Sequence, residues 1–332
     1  MQVLIAGHRE VGRLLPMDEC ITVMEQVLRT LAQGRALQPL RSVIILPEQG
    51  AVGLMPSYLG EPPAVGAKVI TVFNSNLGTP YESHQGAVLL FEPEHGRLLA
   101  IVDAGAITAI RTAAVSGAAT RALAREDAAD LAILGSGTQA RTHLAAMLAV
   151  RPITRVRIWS RTPEHARRFV DSARAAHNVD ITAVPSPREA VDGATIICTT
   201  TAATGPIVEG EWLAPGTHIN GAGASVPGFR ELDTLTVQRS RLFVDRRESA
   251  LNEADDIRIP LRDGVIEEDH IRGELGDILV GRVPGRTRPD EITLFESMGL
   301  AIEDLAAAYH VYRKRAEQTH GTWVEFAAER PT

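Results

Sequence analysis

Cysteine, lysine and long apolar runs are scarce in this 332-residue chain, and each scarcity excludes something. Only two cysteines occur, Cys20 and Cys198, far apart and outside any CxxC spacing. A disulfide scaffold or a cysteine zinc site is not expected from them, and a cytoplasmic location is. No apolar stretch approaches the roughly 18 residues of a membrane-spanning helix, so no membrane partner is expected. The opening residues, MQVLIAGHRE, lack the basic start, apolar run and cleavage site of a secretory signal. There is no basic excess either: 34 Lys and Arg stand against 41 Asp and Glu, a formal net charge of −7. A nucleic-acid binder needs a basic face, so no nucleic-acid partner is expected. Internal repeats and low-complexity tracts are absent. No carboxylate–histidine cluster has metal-ligand spacing, and no metal is expected. The scarcity of lysine bears on chemistry: Lys68 and Lys314 are the only two, and arginine serves wherever else a cation is needed. A lysine kept inside an apolar segment then calls for a chemical reason.

What is present is enough apolar material for real cores, with 45% hydrophobic and 23% charged residues. At roughly 150 residues per domain the length predicts two domains. A strand at 3–5 and helices, the clearer at about 18–33 with Gly34 behind it, open the chain. Strand-like pieces follow at 42–46, 52–55 and 67–73, and a hairpin joins 88–91 to 98–102 across a turn-rich loop. From about Thr108 the texture changes. An alanine-rich helix at 112–124 leads into short apolar strands at 131–134, 156–159, 180–184, 195–198, 218–220 and 242–244, most of them separated by helices. This alternation predicts a parallel, doubly wound α/β domain of Rossmann type beside an α+β domain. Residues 297–317 read as one long helix returning to the first domain. The expected boundaries are 1–112 with 299–332 for a split substrate-binding and dimerisation domain, and 113–298 for the nucleotide domain.

Gly135-Ser136-Gly137-Thr138-Gln139-Ala140 follows one of those strands and opens a helix. The first glycine permits the tight turn, the second lets backbone approach a pyrophosphate, and Ala140 lets helix and strand pack closely. The helix N-terminus offers unpaired N–H groups to the phosphates. Dinucleotide sites for NAD place an acid at the end of the second strand, to hold the ribose 2′-hydroxyl. Here that strand ends Trp159-Ser160-Arg161-Thr162, with no acid. Arg161 can grip a 2′-phosphate with two parallel bonds and Ser160 and Thr162 can donate to it, which predicts NADPH over NADH as the cofactor, NADH remaining possible.

Several segments together resemble the ornithine cyclodeaminase/mu-crystallin family, on its mu-crystallin, ketimine-reductase side. They are Leu37–Arg41, Gly53–Tyr58, Ala67–Thr71, Ser83–Gln85, Ile107–Ala114, the glycine loop, Gly223–Asp233 and Ser297–Asp304, in family order along nearly the whole chain. The resemblance implies a nicotinamide-binding domain, a split substrate and dimerisation domain, a homodimer, and chemistry on 2-amino, 2-imino or 2-oxo carboxylates. One departure is informative. Cyclodeaminases carry an aspartate where this chain has Ser225, and serine cannot act as a carboxylate base near neutral pH. That favours imine reduction over cyclodeamination.

Reducing a 2-imino acid needs a cation for the carboxylate and a proton donor at the nitrogen. Arg41 and Arg111 are the candidate carboxylate clamps, Arg111 with Thr112 also standing where the first domain hands over to the nucleotide domain. Lys68, inside the apolar Ala67-Lys68-Val69-Ile70, is the candidate proton donor and substrate contact, because a desolvated lysine can release a proton and arginine cannot. Ser225 can donate to substrate or orient a water, and His84 can relay protons or contact the nicotinamide. His143 reads as a packing or surface residue, and Glu253, Asp255 and Asp256 as a solvated acidic run. The expected activity is NADPH-dependent reduction of a ketimine such as pyrroline-2-carboxylate or piperideine-2-carboxylate to the L-amino acid. The alternatives are an amino-acid dehydrogenase, an iminosuccinate or N-alkyl imine reductase, ornithine cyclodeaminase, and a non-catalytic NADPH-containing ligand-binding protein.

Overall fold

The computed structural model describes residues 2–47, 50–76, 79–318 and 321–326. The chain divides into two compact units, one of Met1–Arg111 with Leu300–Thr332 and one of Thr112–Gly299. The first unit opens with β1 (Gln2–Ala6), α1 (His8–Leu14) and α2 (Met17–Ala32), then runs through β2 (Ala36–Leu37), β3 (Ser42–Leu46), β4 (Gly50–Gly60), β5 (Pro63–Val72), β6 (His84–Phe91) and β7 (Leu98–Asp103). Next, α3 (Ala104–Leu123) carries the chain across the boundary. The second unit holds β8 (Asp130–Leu134), α4 (Thr138–Val150), β9 (Arg155–Trp159), α5 (Pro163–Ala176), β10 (Asp180–Ala183), α6 (Pro187–Val191), β11 (Ile196–Thr199), β12 (Thr204–Val208), β13 (His218–Gly221) and β14 (Arg230–Leu232). It continues with α7 (Thr234–Arg239), β15 (Ser240–Val244), α8 (Arg247–Glu253), α9 (Asp255–Arg262), β16 (Ile271–Glu274), α10 (Leu275–Leu279) and β17 (Ile292–Glu296). Finally α11 (Ala301–Ala316) and β18 (Thr322–Glu325) return to the first unit.

Period-two burial explains the first sheet. It runs β18-β1-β7-β6-β5-β4-β2, with β3 paired to β4. Along β5, Ala64, Gly66, Lys68 and Ile70 are buried while Val65 and Val69 face out, as alternation on a pleat requires. The buried face is covered by α11, which also packs on α2. Gly66 is needed here: a Cβ would lie 2.5 Å from the Leu89 carbonyl oxygen of β6 and 2.6 Å from Leu305 on α11. The other face keeps Ile44, Leu54, Tyr58, Val65 and Val69 exposed, with Ile44 at 65%.

The second sheet is parallel throughout, in the order β10-β9-β8-β11-β13-β17-β15-β16. From β8 the chain first winds outward through β9 and β10, then returns to β11 and winds the other way. The topological switch point therefore lies between β8 and β11, where doubly wound folds hold ligands. Strands such as Ile196–Thr199 are buried on both faces and read as continuous apolar runs for that reason.

The structure corrects several expectations. The alanine-rich helix starts at Ala104 rather than 112, because the Asp103 carboxylate caps it by accepting from the Ala106 N–H at 2.7 Å. The C-terminal helix starts at Ala301, not 297, and Ile292–Glu296 ahead of it forms β17 in the interior of the parallel sheet. Glu253 and Asp256 are buried, not solvated. His143 is a packing residue: wholly buried, it bonds Ser116 at 3.0 Å and the Gln139 carbonyl at 2.8 Å, and burial lowers its pKa to about 4. Both cysteines are buried free thiols. No described helix is long and apolar enough to cross a membrane.

Candidate functional site

In the first unit the candidate residues converge on Lys68. It lies on β5, between β4 and β6 in the sheet, so it is not an edge lysine reaching for solvent. Its side chain is 3% exposed, and its Nζ is 2.6 Å from Asp304 Oδ2 and 3.5 Å from Thr108 Oγ1. Arg111, from the part of α3 in the same unit, donates through Nε to Asp304 Oδ1 at 2.9 Å and through Nη1 to Glu303 Oε2 at 3.0 Å. Both acids sit in the first turn of α11, where the unpaired N–H groups favour negative charge. Glu303 also accepts from the Leu300 N–H, and Gln38 Oε1 accepts from the Ile302 N–H, pinning that turn.

This arrangement sets the protonation states. Burial lowers the Lys68 pKa to about 8; Asp304 opposes that fall, while Arg111 and then Arg41 add to it. Burial alone would raise Asp304, yet the Arg111 and Lys68 charges hold its carboxyl below the usual value. His84, at the start of β6, bonds Ser83 Oγ through Nδ1 at 3.0 Å. Crowding by surrounding chain, then the Lys68 and Arg111 charges, keep its imidazole below the ordinary histidine value. Lys68, Arg41, Arg111 and His84 are thus one electrostatic group. Glu303 and Asp304 belong to it, and sequence reasoning did not single them out. Their motif was visible, but a helix expected from residue 297 placed the pair inside it, with nothing local to mark them as counter-ions.

In the second unit the glycine loop leads from the end of β8 into α4. Gly135 has φ +127°, and a Cβ there would lie 2.3 Å from Thr200 Oγ1, so only glycine fits this turn at the switch point. Gly137 caps α4 with no side-chain bond to the helix, and a Cβ on it would meet nothing within 4 Å. Open space over a helix N-terminus without a side-chain cap fits a pyrophosphate, and Ser136, Thr138 and Gln139 lie on the same turn. Ala140 is buried, as close helix–strand packing needs. At the end of β9, Ser160 Oγ accepts from Ser136 Oγ at 3.0 Å, while Arg161 and Thr162 are exposed. Ser160 is thereby tied to the glycine loop, and the 159–162 turn contains no acid. Thr112 is buried in α3, and Ser225 is half-buried in the loop between β13 and β14. Among the described residues a compact cluster of potential metal ligands is Glu92, Glu94 and His95, on the turn between β6 and β7, where sequence reasoning expected none.

The family profile of the ornithine cyclodeaminase/mu-crystallin family matches residues 1–319. The ketimine reductase mu-crystallin of Mus musculus is 40% identical over 280 residues, covering 84% of this chain and 85% of that protein. The structure of the Thermococcus litoralis Δ1-pyrroline-2-carboxylate reductase in complex with NADH and L-proline superposes with a TM-score of 0.94 at 39% identity, over 96% of this chain and 99% of that one. An archaeal alanine dehydrogenase dimer with bound NAD gives a TM-score of 0.92 at 31% identity, over 98% and 100% of the two chains.

Proposed function

The chain belongs to the ornithine cyclodeaminase/mu-crystallin family, and from that premise we propose that it reduces the C=N bond of a 2-imino carboxylate to the L-amino acid, with NADPH as the preferred cofactor. The observation that carries this reading is the buried Lys68, held by Asp304 beside Arg111 and brought to a pKa of about 8. A general acid works best when its pKa lies near the operating pH. When bound, the nicotinamide supplies the hydride. Lys68 gives its Nζ proton to the imine nitrogen. Arg41 and Arg111 supply the positive field that holds the substrate carboxylate, and Asp304 and Glu303 fix the Arg111 fork. His84, coupled to Lys68, returns a proton from solvent. Ser225 stands where a cyclodeaminase would carry an aspartate, so deamination lacks its carboxylate.

The substrates proposed are the cyclic ketimines pyrroline-2-carboxylate and piperideine-2-carboxylate, whose carboxylate suits this cationic group. Arg161 is proposed to bind the 2′-phosphate of NADPH. A charge-assisted bond to such a group is worth about 1.5–3 kcal/mol, so kcat/KM is expected to favour NADPH by roughly tenfold or more. The test is cofactor consumption with pyrroline-2-carboxylate, piperideine-2-carboxylate, iminosuccinate, and pyruvate with methylamine or ammonia, each with NADPH and NADH. Turnover of the cyclic imines establishes the reading. No turnover of any imine would sink it, and an NADH preference would sink the Arg161 assignment. Faster turnover of pyruvate with ammonia would move the reading to an amino-acid dehydrogenase, which the likeness to the archaeal alanine dehydrogenase keeps in view.

The first unit is also proposed to pair with a second copy of the chain. An apolar face of this extent on β3, β4 and β5 is costly in water, and the related alanine dehydrogenase is a dimer. Light scattering at micromolar concentration is expected to give twice the chain mass, and Ile44→Glu the single mass. A monomeric wild type would remove the proposal.

A further inference from the structure

A carboxylate with no exposure to water is costly unless its oxygens are satisfied. Glu231, on β14, is wholly buried and meets that demand in an unusual way. One oxygen accepts from the Thr201 N–H and the Thr201 hydroxyl, both at 2.6 Å. The other accepts from the Gly223 N–H at 2.9 Å. Thr201 lies in the loop that leaves β11, and Gly223 in the loop that leaves β13 and carries Ser225. These strands are parallel neighbours, so both loops stand at the carboxyl edge of the sheet, where such folds bind ligands. One side chain therefore ties two adjacent ligand-edge loops together.

The tie reaches further. Gly223 has no room for a side chain, since a Cβ would lie 2.5 Å from the Glu231 oxygens. Thr200, next to Thr201, packs on the Gly135 turn and donates its hydroxyl to the Leu134 carbonyl at 3.1 Å. A contiguous path thus runs from the glycine loop through Thr200 and Thr201 to Glu231, Gly223 and the Ser225 loop. Glu231 is itself anchored: Asp256 Oδ1 accepts from the Glu231 and Leu232 N–H groups at 3.0 and 2.9 Å. Asp245, further along, accepts from the Met298 and Gly299 N–H groups. Glu296 completes the buried acids, with no hydrogen-bond partner on either oxygen. Of Glu231, Asp256 and Glu296, Glu231 has donors on both oxygens, and these bonds oppose the rise in its pKa that burial causes. Burial, then the neighbouring Asp256, Glu231 and Asp245, push the Glu296 carboxyl well above the usual carboxylate range.

We propose that Glu231 is a positioning residue that fixes residues 222–225, Ser225 included, against the loop after β11 and so shapes the edge that receives the nicotinamide end of the cofactor. This rests on the reading above that the second unit binds a nicotinamide cofactor. Glu231→Gln is the direct probe. Its amide keeps the shape but presents N–H groups to one of the two sets of donors, so one loop must let go.

The experiment titrates full-length wild type, Glu231→Gln and Thr201→Val with NADPH and NADH by nicotinamide fluorescence. It also follows amide hydrogen exchange of 221–226 without ligand, and thermal unfolding. Glu231→Gln is expected to weaken cofactor binding roughly 10- to 100-fold, the scale of losing bonds to a charged acceptor. Exchange at Gly223 should quicken. Thr201→Val, which removes one of the three donors, should weaken binding about 3- to 10-fold in the same direction. In turnover, kcat and the cofactor KM should change while the KM of the imino acid does not. A purely structural role would lower the melting temperature and leave the cofactor affinity of folded protein intact. If Glu231→Gln does not fold, Thr201→Val decides alone. Wild-type affinity and exchange in the folded variants overturn the proposal. A wild type that binds neither cofactor overturns the underlying reading instead.

Discussion

Replacing Lys68 with methionine is expected to lower kcat by about 10²- to 10⁴-fold, the usual worth of general acid catalysis, while cofactor affinity stays near wild type. Methionine fills the apolar slot on β5 between Gly66 and Ile70, so the sheet should survive. The informative companion is Lys68→Arg. Arginine restores the charge beside Asp304, yet it cannot release a proton at working pH. It should fail nearly as badly as methionine. Both variants are to be assayed at saturating cyclic imine and NADPH, with cofactor affinity measured separately. A Lys68→Arg enzyme with near-normal kcat would reduce Lys68 to an electrostatic anchor and remove its role as acid.

Asp304→Asn is expected to harm the protein in two separable ways. The Asp304 carboxylate bridges Lys68 and Arg111, both buried, and the amide takes the counter-charge from Lys68 and leaves Glu303 to face Arg111. Breaking a buried pair by removing one partner typically costs about 3–5 kcal/mol, so a clear fall in melting temperature should follow. The second effect has a sign that can be checked. Asp304 raises the Lys68 pKa against burial, Arg111 and Arg41, and the balance stands at about 8. Without it the pKa falls, and Lys68 loses its proton at a lower pH. The alkaline limb of the kcat profile, where activity is lost as the acid deprotonates, should therefore move to lower pH. Profiles from about pH 6 to about pH 9 on folded protein would show it. An alkaline limb that stays in place would mean that Asp304 does not govern the group being titrated.

Much of this was legible in the residues, for reasons that can be named. The strands of the parallel sheet are short, apolar and flanked by helix signals, so β8, β9, β10, β11, β13 and β15 could be placed from composition alone. β17 escaped notice because Ile292–Glu296 runs directly into Ser297–Asp304, which continues as if it were one helix; the Asp245 carboxylate, accepting from the Met298 and Gly299 N–H groups, holds the break between them. Lys68 stood out because the chain otherwise uses arginine. Its partner did not, because nothing local marks an acid 193 positions beyond Arg111 as the counter-ion of both cations. Glu231, Asp256 and Glu296 were invisible for a related reason. A buried carboxylate is recognised by the N–H groups that meet it, and those belong to distant loops. The neighbouring run of Glu253, Asp255 and Asp256 was read as solvated on its sequence alone, and the fold turned Asp256 inward to hold β14.

The first unit is assembled from the two ends of the chain, and this orders events during synthesis. The second unit is continuous, Thr112–Gly299, and has its own sheet once β17 has left the ribosome. The first unit must wait. Its sheet is complete in all but β18 by residue 103, yet the helix that covers it begins only at Ala301. Until then the apolar underside of β4 and β5 lacks α11, and Lys68 and Arg111 lack the Glu303 and Asp304 carboxylates. Contacts this distant in sequence close slowly, since their loop entropy must be met before they give anything back. The nascent first unit is therefore the segment for chaperones to guard, and chains truncated before α11 should be insoluble and without activity.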